Sequence, residues 1–356
     1  MAQGIAERLV AWFRENQRDL AFRRTRDPYA ILVAEVLLQR TRVVSGLPYY
    51  ERFMARFPTV RDLARASEEE VLKAWEGLGF YVRARNLHRA AKAIVADRGG
   101  RVPGTFPELR ALPGIGDYTA GAVASIAFGE AVPAIDGNAA RVLARVFRLE
   151  GDLTRGEGKR RLRDIASSLV PSPEPGAFNQ ALMELGATVC RPVSPRCPAC
   201  PVRSECGAFA EGLPEAYPEA RPRRSPLTVR VGFALAERGG RVLLVRRPPG
   251  GLLAGLWALP GGEVPPRTSD AGAVRKAMIG VGAKARIGPA LGKVEHTFSH
   301  RRWVGKVWRV RVAGDVPRSE TAIWAGPEDL SRLPMVPFHR RFLERAFQPS
   351  KNQTRL

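Results

Sequence analysis

The architecture of the amino-terminal half is set by Leu112-Pro113-Gly114-Ile115-Gly116-Asp117-Tyr118-Thr119-Ala120, a stretch that lies between two helical patterns. Gly114 and Gly116 enclose one apolar residue, which predicts a tight turn at the start of the following helix. Amide N–H groups can point outward from such a turn, and together with the helix dipole they suit a phosphate. A bare Gly-x-Gly predicts only a turn, whereas the longer string favours two helices joined by a phosphate-binding hairpin.

Residues 1–206 have the periodicity of helices joined by short turns. Asp27 followed by Pro28 is typical of a helix start, because the aspartate caps the first turn and proline fits its first position. The apolar pattern predicts that this helix runs through Leu38 to about Val43. The amino-terminal half is therefore expected to be mainly α.

Residues 207–227 are rich in proline and contain the basic run Arg221-Pro222-Arg223-Arg224. This composition predicts an extended linker that touches phosphates. Residues 228–346 follow with strand-like alternation, for example over Arg302–Val312, and predict an α+β domain of about 120 residues. Residues 347–356 are predicted to form a tail.

The charge of the chain points to a polyanionic partner. Among 356 residues, 57 are Lys or Arg and 35 are Asp or Glu, which leaves a formal charge of +22. Such an excess favours nucleic acid as partner over a membrane. The amino terminus lacks the features of a signal peptide, and no run of about 20 apolar residues could span a bilayer. We therefore expect a cytoplasmic protein without a membrane partner.

The four cysteines of the chain lie close together in the sequence, at Cys190, Cys197, Cys200 and Cys206. The spacing Cys-x6-Cys-x2-Cys-x5-Cys predicts four sulfur ligands to one metal centre rather than a disulfide framework. Ligand chemistry alone leaves both zinc and an iron–sulfur cluster open.

Two carboxylates stand in settings that can change their chemistry. Glu35 shares a predicted apolar helix face with Ile31, Leu32 and Leu38, so burial is expected to raise its pKa and keep it protonated as a general acid. The alternative is a buried ion pair with an arginine such as Arg23.

Asp136 lies directly before a predicted helix, in Ile135-Asp136-Gly137-Asn138. Its ordinary interpretation is an N-cap. Its functional interpretation is a carboxylate that helix amides keep ionised and that faces a developing cation. One protonated acid and one ionised carboxylate are the pair that glycoside cleavage uses.

Together these segments resemble the adenine DNA glycosylase (MutY) family of the endonuclease III superfamily. The resemblance rests on the hairpin, the two carboxylate segments, the cysteine loop and two further strings. These strings are Gly77-Leu78-Gly79-Phe80-Tyr81-Val82-Arg83-Ala84-Arg85 and His296-Thr297-Phe298-Ser299-His300. It implies a helix-hairpin-helix glycosylase domain with a 4Fe–4S cluster on the four cysteines, followed by an α+β Nudix-like domain.

The resemblance also implies catalytic roles. Glu35 would protonate an adenine flipped out of the duplex, Asp136 would stabilise the sugar cation, and Asn138 would orient the acid or the water. Tyr118 stands where bifunctional relatives have a lysine, so the enzyme would be a monofunctional glycosylase; as an alternative, Tyr118 is simply a core aromatic.

Further positions are assigned by the same resemblance. The base pocket would contain Leu20, Phe22 and Arg23, although Ala21-Phe22-Arg23 departs from the usual Pro-Trp-Arg. The DNA contacts and the residues that enter the duplex would be Gln39, Arg40, Tyr81, Arg83, Arg85, Gly114 and Gly116. Arg40 replaces the glutamine that is usual in the family.

The carboxy-terminal domain would recognise the base opposite the adenine through Phe298, Ser299 and His300. Alone, this tripeptide is typical of a polar hairpin tip. Lys276, Ile279 and Gly280 stand where Nudix hydrolases have metal-binding glutamates. Because Mg²⁺ requires oxygen ligands, we expect no nucleotide hydrolysis by this domain.

These inferences predict a monomer that removes adenine from adenine:8-oxoguanine or adenine:guanine pairs in double-stranded DNA. Two alternatives remain: a thymine- or uracil-mismatch glycosylase, which the basic residue Arg40 favours, and a non-catalytic DNA-binding protein in which Glu35 is structural.

Overall fold

The computed structural model describes residues 2–219, 225–314 and 316–347. The basic run Arg221-Pro222-Arg223-Arg224 and the predicted tail beyond Phe347 lie outside the described residues. The α-helices are α1 (Ala2–Asn16), α2 (Pro28–Leu38), α3 (Val43–Arg56), α4 (Val60–Arg65), α5 (Glu68–Ala74), α6 (Val82–Arg98), α7 (Phe106–Arg110), α8 (Asp117–Phe128), α9 (Gly137–Phe147), α10 (Gly156–Leu169), α11 (Pro175–Thr188), α12 (Gly207–Ala210), α13 (Asp270–Gly280), α14 (Pro327–Arg332) and α15 (Pro337–Phe347). The strands are β1 (Leu227–Arg238), β2 (Arg241–Arg246), β3 (Trp257–Ala258), β4 (Gly261–Glu263), β5 (Lys284–Thr297), β6 (Arg301–Ala313) and β7 (Ala322–Ala325).

Packing divides the chain into two units. The first contains the described residues of Met1–Ala66 and Val82–Pro222. The second contains Ser67–Tyr81 and the described residues from Arg223 onward. The predicted class of each half is confirmed, since the first unit is helical and the second contains the sheet. That α5 and the turn after it group with the sheet was not anticipated from the sequence.

The first unit is built on helices that bury one apolar face each. Leu9, Phe13, Val142, Phe178 and Leu185 belong to one core to which α1, α9 and α11 contribute. These residues recur at helical spacing on their own helices, so each helix presents one stripe to the others. In the described part of the chain, no helix combines the length and the apolar character needed to cross a membrane.

Helix α2 is buried on nearly every side. It begins where the sequence predicts, because the Asp27 carboxylate accepts the Tyr29 amide at 3.1 Å and Pro28 occupies the first turn. Its predicted extension to Val43 is wrong. The helix ends at Leu38, since Gln39 is extended and Arg40 has a left-handed φ of 57°. A new helix, α3, begins at Val43.

The second unit is organised around a seven-stranded mixed sheet. Its strand order is β3-β2-β1-β6-β5, and β4 and β7 pair with β1 and β2. The β1–β6 pair is parallel, and the β5–β6 pair is antiparallel. Neighbouring residues of β1 enter different cores: Phe233 packs in a cluster with Trp257 and Leu343, and Ala234 packs in a cluster with Val274 of α13. Alternate side chains of β1 therefore point to opposite faces of the sheet, as predicted for a strand, and both faces contribute to a core.

Gly121 marks a close approach within the first unit. A Cβ at this position of α8 would lie 2.2 Å from the carbonyl oxygen of Pro133. The segment that leads to Asp136 can therefore lie against α8 only if residue 121 has no side chain.

We expect Gly121→Ala to lower the free energy of unfolding by about 1–3 kcal/mol, the usual cost of overpacking. Gly4→Ala is the matched control, because a Cβ there would meet only the end of the Arg8 side chain, at 3.7 Å. Alanine favours the helix at an open site by roughly 0.5–1 kcal/mol, so the control should be neutral or slightly stabilised. Urea unfolding of both variants measures the difference; equal stabilities would contradict the close approach.

Candidate active site

Glu35 and Tyr118 form the centre of the candidate site. Glu35 projects from α2, and the Tyr118 hydroxyl, from the first turn of α8, donates a hydrogen bond to Glu35 Oε2. The sulfur of Met183 lies 3.3 Å from the same hydroxyl. Tyr118 is therefore a partner of the candidate acid and more than a core aromatic.

The surroundings of Glu35 favour its protonated form. Burial raises the pKa of Glu35 to about 7, and the negative charge of Asp136 adds to this. The Tyr118 hydrogen bond and the positive charge of Arg23 oppose the rise but do not cancel it. Because the carboxyl is buried, the charged form loses hydration that one hydrogen bond does not replace. Glu35 can therefore hold a proton near neutral pH.

Arg23 is paired with a glutamate other than Glu35. Its Nη2 donates to Glu184 Oε2 at 2.7 Å, and the Arg18 guanidinium donates to Glu184 from Nε at 2.6 Å and from Nη2 at 2.8 Å. Glu184 is 1% exposed. Burial raises the pKa of Glu184, but the two arginines lower it by a larger amount. The net pKa is below its ordinary value, so Glu184 is ionised. The ion-pair alternative for Glu35 therefore describes Glu184 instead.

Glu184 is the residue that sequence reasoning missed. It lies in Ala181-Leu182-Met183-Glu184-Leu185, where an acid interrupts an apolar stretch of α11. The same signal identified Glu35 in α2. Applied to α11, it would have pointed to a second buried carboxylate.

Asp136 is the N-cap of α9, as its ordinary interpretation predicts. Oδ1 accepts the amides of Asn138 at 2.9 Å and Ala139 at 2.7 Å, and Oδ2 accepts Asn138 Nδ2 at 2.9 Å. Burial raises the pKa of Asp136 above its ordinary value, and these hydrogen bonds and Arg141 offset only part of that rise. All three bonds come from donors, so they stabilise the ionised form. The hydrogen bonds of the cap thus also favour the negatively charged form of Asp136.

Asn138 connects Asp136 to the cysteine loop. Its side-chain amide bonds to Asp136, while its Oδ1 accepts Arg141 Nη2 at 2.9 Å. Arg141 also donates to the carbonyl oxygens of Gly186 at 2.8 Å and Cys190 at 2.9 Å. The structure therefore places Asn138 as a support for the aspartate.

A cavity of about 430 Å³ opens in the first unit beside the candidate site. Tyr118 and Asp136 belong to its wall, together with apolar residues such as Phe106 and Leu162 and with Lys159 at a polar part of the lining. Tyr118 therefore lines the cavity and also donates the hydrogen bond of its hydroxyl group to Glu35.

The predicted base-pocket residues belong to a different part of the first unit and do not line this cavity. Leu20 is 7% exposed, and the ring of Phe22 packs edge-on against Tyr50 with centroids 5.9 Å apart. Arg23 lies over Phe13 as well as on Glu184. Arg23 and Glu184 thus form a buried ion pair, and the positive charge of Arg23 is close enough to lower the Glu35 pKa.

Predicted contacts on α2 and α6 have different exposures. Gln39 Nε2 donates to the Thr119 hydroxyl at 2.8 Å, and Arg40 is exposed. Arg85 is half-buried. Arg83 differs from expectation, because it is buried and its Nη1 donates to the carbonyl oxygens of Val36, Leu37 and Gln39. It caps α2 from within rather than presenting its guanidinium to a phosphate.

The hairpin has the geometry that its sequence predicts. Gly114 has a φ of +74°, and a Cβ there would meet the Asn86 side chain at 2.3 Å. Gly116 is the N-cap of α8, and no atom lies within 4 Å of the place a Cβ would take. The start of α8 is therefore open to a ligand that accepts hydrogen bonds from amides.

The four cysteines meet around one small cavity of about 20 Å³, and none forms a disulfide. Arg145 Nη1 donates toward the Cys190 sulfur at 3.4 Å. In the described part of the chain, no group of three or more His, Cys, Asp or Glu side chains is arranged to bind a single ion. Four sulfur donors around one cavity are a donor set that an iron–sulfur cluster or a zinc ion can use.

In the second unit, Ser299 and His300 lie at the turn between β5 and β6 and are exposed. The Phe298 amide donates to the Arg301 carbonyl oxygen at 2.7 Å, which closes the turn. The Phe298 ring packs against Trp303 with centroids 5.0 Å apart. The turn is thus a hairpin tip held by an aromatic anchor.

Tyr81 is also part of the second unit, and it is 4% exposed. Its hydroxyl oxygen accepts the Gly77 amide at 3.3 Å. Contact with a ligand would require Tyr81 to leave this position.

Comparison with known proteins identifies both regions. Residues 33–168 match the HhH-GPD superfamily of base excision DNA repair proteins, and residues 231–345 match the NUDIX domain. The adenine DNA glycosylase of Rattus norvegicus is 37% identical and aligns with 88% of this chain and 71% of its own length. That of Homo sapiens is also 37% identical, with 87% and 67% covered.

Solved structures agree with the fold of the first unit. A thermostable thymine-DNA glycosylase superposes with a TM-score of 0.54 at 30% identity, covering 59% of this chain and 97% of that one. Endonuclease III in a non-covalent DNA complex gives a TM-score of 0.51 at 24% identity, with 60% and 98% covered, a likeness of fold. The extent of the match to the two curated relatives goes further, because it continues through the second unit, and it shows that this chain belongs to the adenine DNA glycosylase family.

Proposed function

We propose that this DNA glycosylase removes adenine mispaired with 8-oxoguanine or guanine in duplex DNA and leaves an abasic site. The observation that carries the proposal is the Tyr118–Glu35 hydrogen bond, with Glu35 held near a pKa of about 7 and the ionised cap Asp136 close enough to raise that pKa. This is the acid and carboxylate pair that cleavage of an N-glycosidic bond requires.

Glu35 would act as the general acid. A flipped adenine leaves as a poor anionic group unless a ring nitrogen is protonated first. Protonated Glu35 gives up its proton readily because its pKa lies near the working pH. Tyr118 orients the carboxyl by its hydrogen bond to Oε2.

Asp136 would stabilise the positive charge that develops on the sugar as the bond breaks. Its three hydrogen bonds are already in place, so no reorganisation is needed when the charge appears. Tyr118 has no amine and cannot form a Schiff base with the sugar, which supports a monofunctional glycosylase.

The DNA contacts divide between the two units. The exposed residue Arg40 and the open start of α8 at Gly116 suit the phosphate backbone and the duplex. Ser299 and His300 are exposed at a hairpin tip, where they can reach the base opposite the adenine. The Nudix-type helix α13 has Asp270 in its first turn and no glutamate, which supports recognition rather than hydrolysis. We further propose that the protein acts as a monomer.

The cysteine loop would hold a 4Fe–4S cluster through Cys190, Cys197, Cys200 and Cys206. When bound, the cluster would fix the loop by four Fe–S bonds. Arg145 supports the same loop by donating to the carbonyl oxygens of Arg191 at 2.7 Å and Pro192 at 3.0 Å.

We expect Glu35→Gln to slow adenine release by roughly 10²–10⁴-fold, the usual contribution of a general acid, while DNA binding is retained. Single-turnover assays on duplexes with adenine or thymine opposite 8-oxoguanine or guanine, followed by alkaline strand cleavage, measure this. Glu51→Gln, at an exposed site on α3, is the matched control and should have the starting activity.

Two results of this assay would reject the proposal. Release of thymine without adenine would identify a pyrimidine-mismatch glycosylase. Full activity of Glu35→Gln would make Glu35 structural.

The rate of the chemical step should fall as the pH rises through about 7, because Glu35 is active when protonated and its pKa is raised to about 7. Above that pH the fall should approach about tenfold per unit. The Tyr118 hydrogen bond lowers this pKa, so in Tyr118→Phe the inflection should move to higher pH. Single-turnover pH profiles of both proteins test the sign; a shift to lower pH would contradict the described hydrogen bond.

The purified protein should be brown and contain iron, and Cys200→Ser should lose colour and melt at a lower temperature, because one ligand is removed. Visible absorption and metal analysis measure the first effect, and thermal melting measures the second. Ser204→Ala, at an exposed site in the same loop, should keep both colour and stability. A colourless protein that contains zinc would refute the cluster.

A further inference from the structure

The segment Ser67–Tyr81 packs with the sheet-containing unit although its sequence lies between helices of the first unit. Helix α5 opens it with a capping box between Ser67 and Glu70. Trp257 Nε1 donates to Glu69 Oε1 at 2.5 Å, and Lys73 Nζ donates to the Leu333 carbonyl oxygen at 3.4 Å. Directional bonds therefore add to the packing that holds α5 to this unit.

The strongest of these attachments is the ion pair between Arg340 and Glu76. Arg340 Nε donates to Glu76 Oε1, and Lys73 Nζ donates to Oε2 at 2.8 Å. Arg340 is 19% exposed and Glu76 is 14% exposed, so water screens the pair only partly. The other two nitrogens of Arg340 donate to the carbonyl oxygens of Leu330 at 2.7 Å and Leu333 at 2.8 Å. All three guanidinium nitrogens of Arg340 therefore donate hydrogen bonds, two of them to main-chain carbonyl groups and one to Glu76.

Glu76 begins the turn that ends in Tyr81. The next residue, Gly77, has a φ of +100° and donates its amide to the Tyr81 hydroxyl oxygen at 3.3 Å. Trp75 Nε1 bonds to the Gly79 carbonyl oxygen at 3.1 Å across the same turn. A displacement of Glu76 would therefore move the residue that holds the Tyr81 hydroxyl.

We propose that Arg340 and Glu76 are positioning residues for Tyr81. By fixing the turn from which the buried Tyr81 side chain must leave to reach the duplex, this ion pair sets how strongly the enzyme prefers adenine opposite 8-oxoguanine over adenine opposite guanine. The inference rests on the proposed function, together with the entry into the duplex that the family resemblance implies for Tyr81. The same unit contains the Phe298-Ser299-His300 turn, so the ion pair fastens Tyr81 to the part of the protein that reads the opposite base.

The test measures single-turnover adenine release from both pairs with Arg340→Gln, Glu76→Gln and the double variant. The ratio of the two rates should fall by roughly tenfold in each single variant, within the range of coupling between contacting residues. The double variant should be no worse than either single one, because the residues act as a unit. Arg340→Lys keeps the charge but loses the fork of donors, and should restore only part of the ratio.

Arg241→Gln is the matched control, because Arg241 pairs with Glu328 at 3.3 Å in the same unit and both side chains are more than half exposed. Its ratio should equal that of the starting protein. In a Tyr81→Ala background, Arg340→Gln should leave the ratio unchanged, which a merely structural role would not predict.

An unchanged ratio in both Arg340→Gln and Glu76→Gln would overturn the inference. So would equal losses of rate on both pairs that follow a lower melting temperature, which would make the pair a stability element. If the starting protein released adenine from neither duplex, the proposed function itself would fail, and that outcome is distinct from the other two.

Discussion

The hydrogen bond from Tyr118 to Glu35 joins two constraints that oppose each other. Apolar α2 must bury Glu35 deeply enough to raise its pKa to about 7, and yet the carboxyl needs a polar partner to be tolerated there. A phenol meets both needs, because it satisfies one oxygen without adding a charge that would ionise the acid. A lysine or arginine in place of Tyr118 would favour the carboxylate. Arg23, whose charge lowers the Glu35 pKa, is held by Glu184 instead.

The hydrogen bonds that stabilise the charged form of Asp136 follow from its position at the start of α9. Every helix begins with amides that lack partners, and the first amides of α9 are satisfied by this carboxylate. The bonds that begin the helix are therefore also the bonds that oppose the effect of burial on the Asp136 pKa. The same bonds that make Asp136 a cap would also serve the role proposed for it as a stabiliser of positive charge. Asn138 and Arg141 extend it to Cys190, so the position of the aspartate depends on the loop that the cysteines form.

Features that depend on neighbouring residues in the sequence were predicted, whereas features that depend on contacts between distant residues were not. The start of α2 follows from Asp27 and Pro28, but its end depends on Arg83, which bonds to carbonyl groups more than 40 residues earlier in the chain. The pairing of Glu35 with Tyr118 spans 83 residues, and no spacing rule reveals it. Strand β5 was not predicted, since register shifts between Ile287 and Gly292 break its alternation. Local patterns singled out Glu35 and Asp136, and the family resemblance supplied the roles expected of them.

The grouping of Ser67–Tyr81 with the sheet has a consequence for how the gene could be divided. A fragment that starts after the linker would carry Trp257 and Arg340 without Glu69 and Glu76, and would expose a surface made for α5. The complementary fragment would retain α5 without its support. Helix α5 is thus encoded in the amino-terminal half but packs with the carboxy-terminal half. Exchange of the carboxy-terminal half between relatives would therefore succeed only if the new half can form the contacts that α5 of the recipient requires.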